Sequence, residues 1–114
     1  MNKNLGITSL LLLAGCSTYP PGADSEGQRM LAAATPVLDA IAKYMDDTAR
    51  PPKSLNVLVP KYLPSIPDTP KIDLNLKENV LTFKYIQSAS HHNEVICTAF
   101  MGETEWSCDI PISR

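Results

Sequence analysis

Hydrophobic and polar side chains follow two different periods along this chain. Between positions 30 and 48, apolar residues recur at steps of three and four, the spacing of one face of an α-helix. From position 72 onward they alternate with polar residues, the spacing of half-buried strands. We therefore predict an α+β fold in which one main N-terminal helix packs on a four-stranded antiparallel sheet made of two hairpins.

Because of Pro36, the sequence allows two different starting points for the helix. Proline has no N–H to donate, and it disfavours helical backbone in the residue before it. Either a helix begins afresh with Thr35 as its N-cap, or one longer helix runs through a kink at Pro36. A capping box of Ser25 and Gln28 would begin the longer helix. Residues 37–48 are helical under both alternatives.

A proline-rich segment at 53–67 follows the helix. Ser54 would cap one short turn that presents Leu55, Leu58 and Val59 to the core. The prolines from position 60 to position 70 then exclude any long regular element. We predict a well-packed loop that proline stiffens.

The alternation after position 72 also predicts the register of the first hairpin. If Glu78 and Asn79 form a two-residue turn, every apolar residue meets an apolar partner on one face of the sheet. The opposing pairs are then Leu76 with Leu81, Leu74 with Phe83, and Ile72 with Tyr85.

A turn centred on Gly102 and Glu103 would form the second hairpin and place Cys97 opposite Cys108. The flanking pairs are then Ala99 with Trp106 and Val95 with Ile110. Cross-strand partners lie about 4.5–5.5 Å apart at their Cα atoms, which is within reach of a disulfide. A two-residue turn and a four-residue loop give the same register, and both stay open.

The first fifteen residues predict a cleaved signal peptide. Lys3 precedes an apolar run at 5–13, which is too short for a bilayer core that needs about 20 residues. The sequence Leu-Ala-Gly-Cys that follows resembles the lipobox of bacterial lipoproteins. The resemblance implies cleavage between Gly15 and Cys16 and a diacylglycerol, with palmitate-type chains, on the Cys16 thiol. Two or three acyl chains would hold the protein firmly on a membrane.

This reading divides the chain into three parts. Residues 1–15 form the signal peptide, residues 16–27 the lipidated cysteine with a flexible tether rich in proline, glycine and small polar residues, and residues 28–114 one small domain. Ser17 stands where many lipoproteins retained in the inner membrane carry Asp. We therefore expect a cell-envelope protein anchored to the outer membrane, on its periplasmic face.

Charge and cysteine usage narrow the function classes. The formal net charge is −2, and no cluster of Arg and Lys exists, which argues against a nucleic-acid partner. Cys97 and Cys108 remain as a pair in an oxidising compartment, where disulfides persist. Because neither a CxxC motif nor further ligands stand nearby, a structural disulfide is favoured over a metal site or a redox dithiol.

The sequence contains no catalytic constellation, so we expect neither enzymatic activity nor a cofactor nor a metal. His91 and His92 are adjacent in an extended connection, where their side chains would point apart. Trp106 could stack on a ligand, but its position opposite Ala99 favours a core role. Other polar candidates lack a base or a converging partner: Asp46, Asp47, Ser88 and Ser107.

The order of elements resembles the globular part of type IV pilins and pseudopilins. The positions that carry the likeness are Pro52, Ser54, Leu55, Leu58, Val59, Pro60, Tyr62, Leu63, Ile66 and Pro67. The likeness covers about 36–110. Pro51 departs from the usual Tyr, residues 68–71 lack the Trp and Gly that accompany a calcium loop, and a lipid anchor replaces the long apolar assembly helix. The resemblance therefore implies a pilin-like fold and no assembly mechanism.

We expect a non-enzymatic, lipid-anchored envelope protein that binds a protein partner, as an accessory component of an envelope or secretion system. The alternative is a periplasmic inhibitor or immunity-type lipoprotein that binds a toxin or hydrolase. For that alternative, Glu94, Glu103, Glu105 and Asp109 would supply an acidic surface for a basic enzyme. A small-ligand binding protein would need a pocket that so short a core is not expected to enclose.

Overall fold

The computed structural model describes residues 20–87 and 93–111. Within them lie the helix α1 (Ser25–Thr48), the 3₁₀ turn η1 (Leu55–Leu58) and four strands: β1 (Asp73–Asn75), β2 (Val80–Ile86), β3 (Glu94–Phe100) and β4 (Ser107–Asp109). The strands form one antiparallel sheet in the order β1-β2-β3-β4, and α1 packs against it. The predicted α+β fold is confirmed. The predicted lipidation and cleavage residues, Gly15 and Cys16, lie outside the described residues, as do Ser88, His91 and His92.

Helix α1 runs without interruption through Pro36, so the second of the two alternatives is the one that forms. Pro36 and Ala32 both lie on the exposed side of the helix. The carbonyl of Ala32, which a proline at position 36 cannot bond, therefore belongs to an exposed residue, on the side of the helix that faces water. The Thr35 hydroxyl donates to the carbonyl of Leu31 at 2.8 Å, within the same turn. The opposite side of α1 supplies Val37 and Leu38, both fully buried, as the apolar spacing predicts.

The start of α1 differs from the predicted capping box. Asp24, not Ser25, is the N-cap, and its Oδ2 accepts a 3.3 Å hydrogen bond from the N–H of Gly27. The side-chain amide of Gln28 instead donates to the backbone carbonyl of Gly22 at 3.1 Å. Asp24 accepts hydrogen bonds as well as Ser does at this position, and the tertiary contact described next decides between them.

The ordered domain also begins earlier than predicted. Residues 16–27 were expected to form a flexible tether, whereas α1 begins at Ser25, and Gly22, Asp24 and Gly27 are buried. The hydroxyl of Tyr85 on β2 donates to Asp24 Oδ1 at 2.6 Å and accepts from the N–H of Gly22 at 2.9 Å. A polar, glycine-containing segment can thus be ordered by one buried hydroxyl that composition does not reveal.

The first hairpin forms in a register two residues away from the predicted one. The observed pairs are Asp73 with Thr82, Leu74 with Leu81, and Asn75 with Val80. The prediction that Leu74 lies opposite Phe83 is therefore wrong. A shift of two keeps the same side chains on the same face of the sheet, so the apolar alternation is compatible with both registers.

The side chain of Asn75 explains the observed register. Its Oδ1 accepts hydrogen bonds from the backbone N–H groups of Lys77 at 3.1 Å and Glu78 at 3.3 Å. Asn79 closes the turn with a positive φ of 59°, a conformation that asparagine tolerates. The turn therefore spans residues 76–79 rather than two residues, and Leu76 is left 42% exposed.

The second hairpin forms in the predicted register. Its pairs are Ile96 with Asp109, Cys97 with Cys108, and Thr98 with Ser107. Cys97 and Cys108 form the expected disulfide. The connection at 101–106 is longer than either open alternative, so Trp106 and Ile110 flank the ladder without belonging to it.

The core lies between α1 and the inner face of the sheet. β2 contributes Leu81 and Phe83, and β3 contributes Val95 and Cys97. The proline-rich segment closes one side of this core through Leu58, which is fully buried at the end of η1. Ser54 occupies the predicted N-cap position of η1, although its side chain makes no capping hydrogen bond.

Candidate protein-binding surface

The outer face of the sheet points away from α1, and no described element covers it. The apolar side chains on it include Ile86, which is 51% exposed, and Phe100, which is 59% exposed. They lie at opposite ends of the sheet, because Phe100 pairs with Val80 and Ile86 pairs with Glu94. Phe100 stands beside the connection of the second hairpin, where a hollow opens.

This hollow encloses about 390 Å³ between the end of β3, the connection at 101–106 and β4. We call it the acidic hollow. Its lining residues are Thr98, Ala99, Phe100, Glu103, Glu105, Trp106, Ser107 and Asp109. Three of the eight carry a carboxylate and none is basic, so the hollow presents a negative potential beside an exposed aromatic ring.

No Lys or Arg of the described chain neutralises these carboxylates. Between residues 20–87 and 93–111, the ion pair within 4.0 Å is Arg29 with Glu26, on the first turn of α1. Glu103, Glu105 and Asp109 are all exposed and free to meet a positively charged partner.

The residues of the acidic hollow are held by regular structure. Asp109 is paired with Ile96, one position beyond the disulfide. At the other side of the hollow, the N–H of Glu103 donates to the carbonyl of Phe100 at 3.0 Å and closes a turn. Gly102 within this turn has a φ of 91°, a value that strongly favours glycine. The hollow is therefore formed before any partner arrives, which lowers the entropy cost of binding.

Trp106 takes the core position that the sequence favours, and it also lines the acidic hollow. Its ring packs edge-on against the buried ring of Phe83, with centroids 4.9 Å apart at an interplanar angle of 69°. The same residue lines the acidic hollow, and its indole Nε1 is a buried donor with no hydrogen-bond partner in the described part of the chain. Buried donors without a partner are rare in proteins, because each one lowers the stability of the fold by about 1–3 kcal/mol.

The tertiary structure gathers three of the four acidic residues considered from sequence. Glu103, Glu105 and Asp109 meet at the acidic hollow. Glu94 begins β3 and is separated from Phe100 by the length of the strand, about 20 Å at 3.3 Å per residue. It does not belong to this surface.

The other polar candidates take structural positions. Asp47 lies near the end of α1 and accepts a 2.8 Å hydrogen bond from the hydroxyl of Tyr62, which raises the pKa of that tyrosine. Asp46 is exposed, and Ser107 is exposed at the rim of the acidic hollow. Within the part of the chain that the structure describes, no three His, Cys, Asp or Glu side chains are grouped so as to hold a metal ion.

The described helices include none that is both long enough and apolar enough to cross a membrane. Comparison of the chain with known protein families, with curated proteins and with solved structures found no match. The assignment of function therefore rests on the residues and on their arrangement.

Proposed function

We propose that this protein is a non-enzymatic, lipid-anchored envelope protein that binds a positively charged protein partner through the acidic hollow. The observation that carries the proposal is the gathering of Glu103, Glu105 and Asp109 around two aromatic residues at a preformed hollow. The pilin-like resemblance agrees with a scaffold that displays such a surface.

The aromatic residues supply most of the expected affinity. Phe100 is exposed and Trp106 is fixed on the core, and buried aromatic contacts are frequent hot spots of protein interfaces. An Arg side chain fits this combination well, since its planar guanidinium stacks on aromatic rings and binds carboxylates in a bidentate manner.

The carboxylates supply mainly rate and selectivity. Each is exposed, and an exposed ion pair contributes about 0–1 kcal/mol. Three of them together attract a basic partner and repel acidic ones, so association should weaken as salt increases. The same charge disfavours adsorption of the hollow to an anionic lipid surface.

The proposed anchor would keep the hollow near the membrane. Gly22 is already packed against the disulfide, because a Cβ placed on it would lie 3.2 Å from Cys108 Sγ. The chain from Cys16 to Gly22 can span at most about 20 Å. Asp109, which lines the hollow, follows Cys108 directly. The hollow would therefore lie close to the lipid surface, and the partner would have to bind there.

The inhibitor or immunity-type function remains a second candidate, and the same hollow favours it. A basic toxin or hydrolase would dock on it as a basic scaffold component would. The two functions differ in the identity of the partner and not in the surface that is used.

The test is photo-crosslinking in living cells with benzoylphenylalanine in place of Phe100. The matched control carries it in place of Ile86, which has a similar exposure at the other end of the same face. We expect one specific adduct from position 100, with a partner that is basic at its contact surface. An envelope or secretion scaffold would favour the first function, and a secreted toxin or hydrolase the second.

Charge reversal sharpens the test. The triple variant Glu103→Lys, Glu105→Lys and Asp109→Lys should abolish the adduct. A control triple that reverses exposed acids elsewhere should retain it: Asp39→Lys, Asp46→Lys and Glu78→Lys. Equal adducts from both triples would contradict the proposed surface.

A further inference from the structure

A second surface groove lies on the opposite side of the domain from β4. It encloses about 390 Å³ between η1 and β1 with the residues that precede it. Its η1 wall includes Lys53 and Leu55, and its β1 wall includes Lys71, Asp73 and Leu74. We call it the β1 groove.

The β1 groove exposes the edge of the sheet. β1 pairs with β2 on one side, and no described strand pairs with its other side. In an antiparallel ladder the N–H and C=O groups of alternate residues point away from the partner strand. Apart from the ladder, the backbone of residues 71–74 makes no hydrogen bond within the described chain. An added strand would therefore meet unpaired donors and acceptors here.

The side chains of the β1 groove select the chemistry of such a strand. Leu55, Ile66 and Leu74 are half-buried apolar residues that line it, and they offer contacts for one apolar side chain. Lys53 and Lys71 are exposed on its two walls. With Asp73 as its one carboxylate, the lining is net positive in a chain whose formal net charge is −2.

This charge also argues against a second copy of the chain as the occupant. Edge-to-edge pairing of two β1 strands would bring together two linings that are both net positive. Lysines at sheet edges are a known means of preventing such self-association.

We propose that the β1 groove binds an extended acidic segment of another protein, which adds to β1 as a fifth strand. The backbone of the segment bonds the free edge of β1, an apolar side chain contacts Leu55 and Leu74, and flanking carboxylates meet Lys53 and Lys71. This binding is independent of the acidic hollow, which takes a partner of the opposite charge.

The experiment is selection of a phage-displayed library of random twelve-residue peptides on the purified full-chain protein. We expect enriched peptides in which Asp or Glu alternates with apolar residues. Their dissociation constants should rise at least tenfold for Lys53→Glu/Lys71→Glu. They should change by less than twofold for the control pair Arg29→Glu/Lys43→Glu, two exposed basic residues on α1.

Backbone pairing is tested with the same peptides after N-methylation of alternate residues, which removes their N–H donors. One set of peptides is methylated at the odd positions and the other set at the even positions. Methylation in one of these two sets should weaken binding at least tenfold. A selection without binders, equal affinity for the Lys53→Glu/Lys71→Glu variant, or no effect of methylation in either set would overturn the proposal. A selection that yields only basic peptides would also overturn the proposal. If the Glu103→Lys/Glu105→Lys/Asp109→Lys variant abolished binding of those peptides, the result would support the acidic hollow instead.

Discussion

The hydroxyl of Tyr85 donates a 2.6 Å hydrogen bond to Oδ1 of Asp24, which joins the middle of the sheet to the residue that caps the helix. Asp24 is 2% exposed and Tyr85 is 6% exposed. The contact spans 61 residues of sequence and sets where the ordered domain begins.

The Tyr85→Phe substitution should lower the free energy of unfolding by about 1–3 kcal/mol, because it leaves Asp24 and the N–H of Gly22 without this buried hydroxyl. Urea denaturation followed by circular dichroism measures the loss. Tyr62→Phe is the matched control, since its hydrogen bond to Asp47 is exposed, and it should leave stability close to that of the wild type. A Tyr85→Phe protein as stable as this control would show that the contact contributes little.

The raised pKa of Tyr85 predicts a loss of stability at high pH. Burial, together with the hydrogen bond to Asp24, raises the pKa of Tyr85 from 10.0 to about 12. The unfolded chain therefore releases this proton at lower pH than the folded protein does. The contribution is complete below pH 10 and is lost as the pH rises toward 12. Between these values wild-type stability should fall more steeply than that of Tyr85→Phe, and parallel curves would contradict the assignment.

Gly27→Ala should destabilise the protein, although alanine normally favours a helix over glycine by about 1 kcal/mol. A Cβ at this position would collide with the hydroxyl of Tyr85 and lie 2.9 Å from Asp24 Oδ1. The cost should shrink when Tyr85→Phe removes the hydroxyl, which a double-mutant cycle measures as a coupling energy. Ser25→Ala, an exposed change in the same turn, is the control and should show no such coupling. Additive effects of Gly27→Ala and Tyr85→Phe would exclude this contact as the cause.

Removal of the disulfide by Cys97→Ala/Cys108→Ala should cost about 2–4 kcal/mol of stability, because the bond restricts the unfolded chain. Thermal unfolding with and without a reductant provides the measurement. The reductant should destabilise the wild type and leave the double variant unchanged. Intact mass showing two free thiols at these positions in the protein purified without a reductant would contradict the bond.

Cys16→Ala should release the protein from the membrane fraction, since the lipobox resemblance predicts lipid attachment at this cysteine. Fractionation of cells followed by immunoblotting measures the shift. Ser17→Ala serves as the neighbouring control for release and should stay with the membrane. Retention of the Cys16→Ala protein would disprove the anchor.

Where the structure departs from the sequence-based expectations, the cause is a contact that periodicity does not contain. The apolar alternation places Leu74 and Phe83 on the inner face in two registers that differ by two residues, and the side chain of Asn75 selects one of them. Likewise, Pro36 is compatible with a break or a continuous helix, and its position on the exposed side permits continuity.

The composition of the acidic hollow could likewise be predicted only in part from the sequence. The sequence contains four acidic residues near the second hairpin, and only the pairing of β3 and β4 shows that three of them meet while Glu94 lies at the far end. The β1 groove is not apparent in the sequence at all, because Lys53 and Lys71 belong to segments that come together only when η1 packs beside β1.

The sequence by itself determined the fold class, the inward face of each strand and the pairing of Cys97 with Cys108. These follow from periods of 3.6 and 2 residues and from a local hairpin, which short stretches of chain contain completely. Only the tertiary structure decided the helix cap at Asp24, the register of the first hairpin and the composition of both surfaces. The helix cap depends on Tyr85, 61 residues away, and the β1 groove depends on segments that meet only when the core packs. The register and the acidic hollow depend on polar side chains and on a hairpin connection that the hydrophobic periods do not specify.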